Sequence, residues 1–351
     1  VRTSPYDVSV RQTWIDALRG WAIIFVVLFH LHLVFERELA SFAFSRGFAT
    51  FIQAVGPFRM EILYFLSGML AVRSMRKGWK RYVSGKIDAI LWPYMVWTVV
   101  MLLADNPRLA QNLVPALYGF SHLSWFLAFL FLYYLIAYAT RNKGWWLVAG
   151  VSYGLSILLF VTGSPLDRGF VNLWDVPYYF LYFVAGCRFV QSPEAVALFH
   201  QDRVILAGWL AGIAVIAVAV VISPPNTFPG YLPVVLASLP FWFWMASARP
   251  LRAPLAYVGR NAIYFFVLHY PIIILGKRFL RPPVVASISS ALLLPIVLAV
   301  GIPALTAYLA RRSSVVRAFF VRPECLRGRA LGEAAGIPQR AVGGATTIRE
   351  Q

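Results

Sequence analysis

The sequence predicts an all-α integral membrane protein of about ten transmembrane helices with both termini in the cytoplasm. Three observations carry that prediction. Of 351 residues, 60% are hydrophobic and only 13% charged, whereas a soluble domain is nearer half apolar and a quarter charged. Aromatic residues make up 16%, as expected of a chain with two lipid–water interfaces. The apolar residues gather into ten stretches of spanning length, about 19–35, 48–72, 87–104, 121–140, 145–162, 175–190, 204–222, 232–248, 256–276 and 284–310. Segments of this kind must satisfy their own backbone polar groups in lipid, so they are read as helices.

The first stretch lacks a small-residue cleavage site and runs on into further spans, so it is read as a helix and not as a signal peptide. Arg141-Asn142-Lys143-Gly144 is the only break between the fourth and fifth stretches. With the N-terminus inside, 24 of the 32 lysines and arginines fall in cytoplasmic segments, which sets the orientation. Lys277, Arg278 and Arg281 are the exception and would face outward, either as a local irregularity or as a patch for an anionic glycan or lipid phosphate. Residues 1–310 form the membrane domain. Residues 311–351, rich in Arg, Gly and Ala, are expected to be a flexible cytoplasmic tail.

The same numbers exclude other classes. Cys187 lies in an apolar segment and Cys325 in the polar tail, so neither a disulfide scaffold nor a pairing is expected. The net charge of +18 lies between apolar segments and points to anionic headgroups of the bilayer, with no nucleic acid as partner. No zinc motif, phosphate-binding glycine loop or serine nucleophile elbow is present, so no metal and no bound cofactor are expected.

Ionisable groups inside the membrane are costly and therefore mark function by default. Arg19 and His30 are eleven residues apart on the first helix, within 20° of three full turns, so they share one face about 16 Å apart. Arg19 sits near the cytoplasmic surface and His30 well inside. Arg19 is read as a functional candidate or a snorkelling anchor at the interface, and His30 as an interhelical hydrogen-bonding residue or a functional one. His32 points elsewhere, nearer the outer surface, and is read as structural. Glu61 lies near mid-membrane and needs a partner from another helix, because Arg59 points to a different face. Ser67-Gly68 suits close helix packing. The basic loop from Arg73 to Lys86 either records topology or binds a phosphorylated ligand.

In their order, these residues resemble acyltransferase family 3, the integral membrane acyltransferases. The opening Asp16-Ala-Leu18-Arg19-Gly20 followed by His30 is similar to the family's first helix, and Arg19 with His30 meets its Arg-x10-His spacing. Tyr64-Phe65-Leu-Ser67-Gly68 is similar to Phe-Phe-x-x-Ser-Gly. His122-Leu-Ser-Trp125-Phe-Leu127 resembles the Leu-Trp-Phe-Leu block. Gly259-Arg260-Asn261-Ala-Ile-Tyr264 through His269-Tyr270-Pro271 resembles the late Gly-Arg-x-Ser…His-x-Pro helix. The resemblance covers about residues 11–310. One departure stands out: where the family has Arg-x-x-Arg before a Pro-Tyr pair, this chain has Lys86 and Ala89 before Pro93-Tyr94. Lys keeps the charge without the planar fork, and Ala loses both.

The resemblance implies an O-acyltransferase of the plasma or inner membrane. It would move an acyl group, acetyl expected, from acyl-coenzyme A as co-substrate to a hydroxyl of a carbohydrate or lipid-linked acceptor. His30 is implied as the general base or a transient acyl carrier. Glu61 would orient it, as an acid does in a triad. Arg19, Lys80, Arg81 and Lys86 would bind the donor, and Asp16, Ser67, Trp125, Arg260, Asn261 and His269 would line the cavity. Two other readings stay open. One is a transporter or flippase with Glu61 and His30 as a proton relay, against which no inverted repeat is detected. The other is a catalytically degenerate family member that assists glycan export.

Overall fold

A computed structural model of the protein describes residues 13–40, 44–105, 125–163, 175–248, 250–279 and 293–326. These residues are helical, with no strand among them. In chain order the helices are α1 (Thr13–Leu39), α2 (Ser45–Met75), α3 (Trp79–Lys86), a π-helical turn (Ile87–Leu91), α4 (Trp92–Asp105), α5 (Trp125–Ala139) and α6 (Trp145–Thr162). There follow α7 (Asp175–Phe189), α8 (Pro193–Leu198), α9 (Asp202–Val221), α10 (Tyr231–Ser247), α11 (Arg252–Arg260), α12 (Ala262–Phe279), α13 (Leu294–Ala310) and α14 (Ser314–Ala318).

Two close crossings organise the bundle. Gly20 on α1 meets the Leu255 carbonyl of α11, and Gly259 on α11 meets the Asp16 carbonyl of α1. A Cβ at either glycine would collide with that backbone oxygen. The second crossing repeats the device: Gly68 on α2 faces the Phe183 carbonyl of α7, and Gly186 on α7 faces the Phe65 carbonyl of α2. In lipid no hydrophobic force drives helices together, so close backbone approach and the dispersion contacts it permits are what hold them. Cys187 adds a thiol hydrogen bond to the Gly68 carbonyl at the second crossing. α2 is the central helix, and Phe58, Ile62, Tyr64 and Leu66 on it are fully buried. α6 and α9 are peripheral. Apart from Thr162 at the end of α6 and Asp202 and Arg203 at the start of α9, their exposed residues are apolar or glycine, among them Trp146, Val161, Leu206 and Trp209, as a lipid-facing surface requires.

The ten expected spans are met only in part. Five helical segments are long and apolar enough to cross a membrane, namely Thr13–Arg37, Ser45–Met75, Trp79–Leu102, Trp145–Thr162 and Asp202–Val221. α10 with α11, bent by 110°, makes a sixth if counted as one span. Trp125–Ala139, Ala262–Lys277 and Leu294–Ala310 are apolar but shorter. Two causes are visible. The stretch expected over 256–276 is broken at Asn261, whose backbone (φ −105°, ψ 25°) ends α11 and whose carbonyl starts α12 by accepting from Tyr264 N–H. The stretch over 175–190 is only the 15 residues of α7, and its hydropathy is lowered by Asp175, Tyr178, Tyr179 and Tyr182, all of them buried.

Two further expectations need correction. The basic loop from Arg73 to Lys86 is almost wholly helical: α2 continues to Met75 and α3 starts at Trp79, so Lys80, Arg81 and Lys86 stand on a helix. The expected flexible tail is docked in its first part. Ser313 caps α14 by accepting from Val316 N–H at 3.4 Å. Trp92 Nε1 donates to the Ala318 carbonyl at 2.7 Å, and Trp97 Nε1 to that of Phe319 at 3.1 Å. Phe320 is buried between Trp97 and Tyr264, with ring centroids 5.4 and 4.4 Å away. Arg322 donates its backbone N–H to the Asp88 carbonyl at 3.2 Å and holds its guanidinium 3.9 Å from the Asp88 carboxylate. Indole donors on α4 and an aromatic slot between α4 and α12 thus anchor a segment whose own sequence has no amphipathic period. Residues 327–351, with Arg281, Arg278's side chain and His122, lie outside the described residues.

The two halves of this clasp differ in strength. Asp88 and Arg322 are both partly exposed, so Asp88→Asn should cost at most about 1 kcal/mol. Phe320→Ala empties a closed aromatic slot and should cost about 3 kcal/mol or more. Thermal unfolding of the purified variants in one detergent separates them, and equal losses would refute this account of the clasp.

Candidate active site

The site is built from the first crossing upward. Gly20 and Gly259, the two glycines that bring α1 and α11 together, precede His30 and His269 by ten residues each. Beyond Asn261, α12 runs beside α1 in the same direction. His269 lies against His30, and further along Lys277 Nζ donates to the Val34 carbonyl. The resulting histidine pair has ring centroids 5.0 Å apart, with Tyr270 and Phe29 edge-on to His30 at 5.4 and 5.0 Å.

The hydrogen-bond partners assign the protons of the pair. His269 is fully buried, and its Nδ1 lies 2.9 Å from the Phe265 carbonyl, an acceptor only, so Nδ1 carries the hydrogen and Nε2 a lone pair. That Nε2 stands 3.1 Å from His30 Nδ1, which is also 2.9 Å from the Val26 carbonyl. Both neighbours of His30 Nδ1 are acceptors, so His30 carries its hydrogen there. Its Nε2 is left with a lone pair available to take a proton. His269 therefore occupies the place that was expected of Glu61. With this tautomer it accepts a hydrogen bond from His30 Nδ1–H.

Glu61 sits in a different layer. It is buried, its Oε2 accepts the Met60 N–H at 3.1 Å, and its Oε1 has no hydrogen-bond partner. Tyr178, Tyr179 and Tyr182 of α7 are within its electrostatic reach, as is Arg59. Arg59 is 9% exposed and lies flat over Phe29, its guanidinium carbon 3.6 Å from the ring centroid. Trp125 stacks on Tyr179 at 5.6 Å and forms a wall of this layer.

Toward the Arg19 end, two expected donor-side residues, Arg19 and Lys86, and the expected cavity residue Ser67 meet around one tyrosine. Lys86 Nζ rests 3.7 Å above the Tyr134 ring. The Tyr134 hydroxyl donates to the Ser67 carbonyl at 3.3 Å, and Arg19 lies within electrostatic reach of that hydroxyl. Ser67 Oγ donates to its own helix at the Leu63 carbonyl. Lys80 and Arg81 are exposed on α3 outside this group. Asp16 is buried and belongs to the crossing through its carbonyl. Arg260 is exposed, whereas Asn261 donates to the Tyr257 carbonyl and accepts from Arg311 at 3.2 Å, tying α11 to the end of α13. Among the described residues no three His, Cys, Asp or Glu side chains are grouped to hold a metal. Sequence reasoning missed Tyr134, Tyr179 and the His30–His269 contact. Tyrosine inside an apolar helix was the available signal for the first two, since a buried phenol seeks a partner.

A family model described as an acyltransferase domain, acyltransferase 3, matches residues 12–310, nearly the whole chain, and the protein belongs to that family. It is accordingly a multi-pass membrane acyltransferase acting on groups other than amino-acyl groups. Comparison with curated proteins and with solved structures yields no match.

The proton assignment can be measured directly. In protein labelled with 15N-histidine, His30 and His269 should both show the Nδ1–H, Nε2-unprotonated pattern at neutral pH. In His269→Phe the His30 signal should broaden or change tautomer, because one of its two acceptors is gone. A His30 that carries its hydrogen on Nε2 in the parent protein would refute the pair described here.

Proposed function

We propose that this acyltransferase is an O-acyltransferase that takes an acyl group, acetyl expected, from cytoplasmic acyl-coenzyme A and gives it to a hydroxyl of a carbohydrate or glycolipid acceptor. The observation that carries the reading is the contact of His30 Nδ1 with His269 and the Val26 carbonyl, which points the lone pair to His30 Nε2, about 16 Å along α1 from Arg19. Coenzyme A phosphates cannot cheaply enter hydrocarbon, but the slender pantetheine arm can. The cationic group of Arg19 and Lys86 would hold the phosphates while the thioester reaches His30. Tyr134 would steady that group, and Lys86 would meet the demand that the family's first arginine meets elsewhere.

The chemistry then balances with this chain's own groups. The acceptor hydroxyl gives its proton to His30 Nε2 as its oxygen bonds the thioester carbonyl carbon. His269 Nε2, accepting from His30 Nδ1–H, stabilises the imidazolium that forms, as a triad's third member does. The tetrahedral intermediate collapses by breaking the carbon–sulfur bond, and the imidazolium returns the proton to the leaving thiolate. Ester and free coenzyme A are the products.

Purified protein in liposomes should release free thiol from acetyl-coenzyme A when supplied with extracted envelope glycans or lipids, and the acceptor should gain the acyl mass. His30→Ala should lower turnover by about a hundred- to ten-thousand-fold with donor binding retained. Arg19→Ala should lose about 1.5–3 kcal/mol, seen chiefly as a higher donor KM. Normal turnover in folded His30→Ala would remove this mechanism.

The same reading places Arg19, the termini and the turn at residues 140–144 on the cytoplasmic face of the plasma or inner membrane. In a background freed of Cys187 and Cys325, an impermeant maleimide added to intact cells should label Pro225→Cys and spare Asn142→Cys. Both positions are exposed. Labelling of Asn142→Cys from outside would invert the orientation.

A further inference from the structure

A second site lies at the other end of α1. A cavity of about 550 Å³ opens between α1, α2 and the segment after α9, a size that suits a small ligand or one to two sugar rings. Its lining includes Phe29, His32, Gln53, Arg59, Ser223 and Asn226. Phe29 and Arg59 are the lining residues next to the catalytic pair, because the Phe29 ring touches His30 and Arg59 is within electrostatic reach of it.

Arg59 is the unusual member. A guanidinium nine-tenths buried normally sits in a fork of acceptors, since an uncompensated buried charge costs several kcal/mol. Among the described residues no hydrogen bond or ion pair engages Arg59, and its described contact is the face of Phe29. Tyr179 and Glu61 act on it electrostatically, neither as a hydrogen-bond or ion-pair partner. The walls carry neutral hydrogen-bonding groups. Gln53 Nε2 donates to Ser223 Oγ, and Asn226 reaches the cavity over Gly56, where a Cβ would collide with its amide. His32 Nδ1 has no partner. A cation at the inner end with amide, hydroxyl and imidazole groups around it is complementary to an oxyanion attached to a hydroxyl-bearing body.

We propose that this cavity binds the acceptor, and that the acceptor is anionic: a sugar or glycolipid whose carboxylate or phosphate pairs with Arg59 while a hydroxyl is presented toward His30. This rests on the acyl-transfer reading for the word acceptor, but the anion site itself does not. Donor and acceptor enter from opposite ends of α1 and meet at the histidine pair. His32 gains a role here as a wall group instead of a purely structural one.

The test is binding without any acyl donor, so that failure of transfer and failure of the site are separate results. The full chain in phosphatidylcholine nanodiscs is titrated calorimetrically with methyl glucuronide, methyl glucoside and inorganic phosphate. The glucuronide should bind at least tenfold tighter than the glucoside, phosphate should compete with it, and Arg59→Gln should reduce glucuronide to the glucoside level. Arg59→Lys should keep part of the preference, since it retains the charge without the fork. If Arg59→Gln does not fold, Asn226→Leu decides in its place: it must weaken glucuronide binding several-fold, and unchanged binding overturns the site. Equal affinity for the two sugars in the parent protein overturns it as well. Doping the nanodiscs with phosphatidylglycerol separates the sources of the anion. Competition with glucuronide identifies a lipid phosphate, and its absence identifies a soluble or glycan-borne anion. Anion binding that depends on Arg59, in a protein that transfers no acyl group, would leave the site standing and remove the acyl-transfer reading.

Discussion

The backbone contact between α1 and α11 is the constraint on which the site depends. It requires glycine on both helices, because at that separation each helix presents a carbonyl oxygen where the other would carry a Cβ. With α1 and α11 fixed, Asn261 turns the chain into α12 and brings His269 to His30. Neither histidine's geometry could survive a helix separation larger by one methyl group, since the ring nitrogens are already 3.1 Å apart. The second glycine crossing does the same for α2 and α7, and sets Glu61 among the tyrosines of α7. Specificity in this bundle comes from where backbones can touch, as is general when lipid surrounds the helices.

Much of the helical content was legible from hydropathy, and the first helix most of all. The face shared by Arg19 and His30 follows from helical periodicity alone. What escaped was pairwise. Hydropathy cannot tell that 256–276 breaks at Asn261, because the break is stabilised by Asn261's side chain on Tyr257 and by Arg311 from another helix. Glu61 looked like the partner of His30 because both are ionisable and buried, but spacing within one helix says nothing about which helix stands opposite. His269 was noted as a cavity residue, and only the packing of α12 on α1 makes it the partner. Lys86 was legible as a cation, whereas the tyrosine under it belongs to α5, about fifty residues further along the chain.

The interior is organised by aromatic rings more than by aliphatic ones. Tyr64 contacts Phe126, Tyr133 and Tyr179, and Phe126 in turn contacts Phe266 beside His269. Rings have few rotatable bonds, so they hold helices at fixed distances with little entropy left to lose. Their hydroxyls also place polar atoms deep in the bundle with partners in reach, as Tyr133 does with the Val176 carbonyl at 2.6 Å. Glu61 Oε1 and the Tyr231 hydroxyl, by contrast, have no hydrogen-bond partner among the described residues.

The clasp of residues 313–322 on the π-helical turn has a consequence for biosynthesis. Asp88 and Trp92 emerge from the ribosome more than two hundred residues before the segment that completes their contacts. Lys86 lies directly before that turn. During translation the edge beside Lys86 therefore remains unfinished through the insertion of the helices between them. It closes only when residue 322 is free to fold back. The turn beside Lys86 is therefore tied down only after residue 322 has been made, although the first helix, which carries Arg19 and His30, is inserted long before.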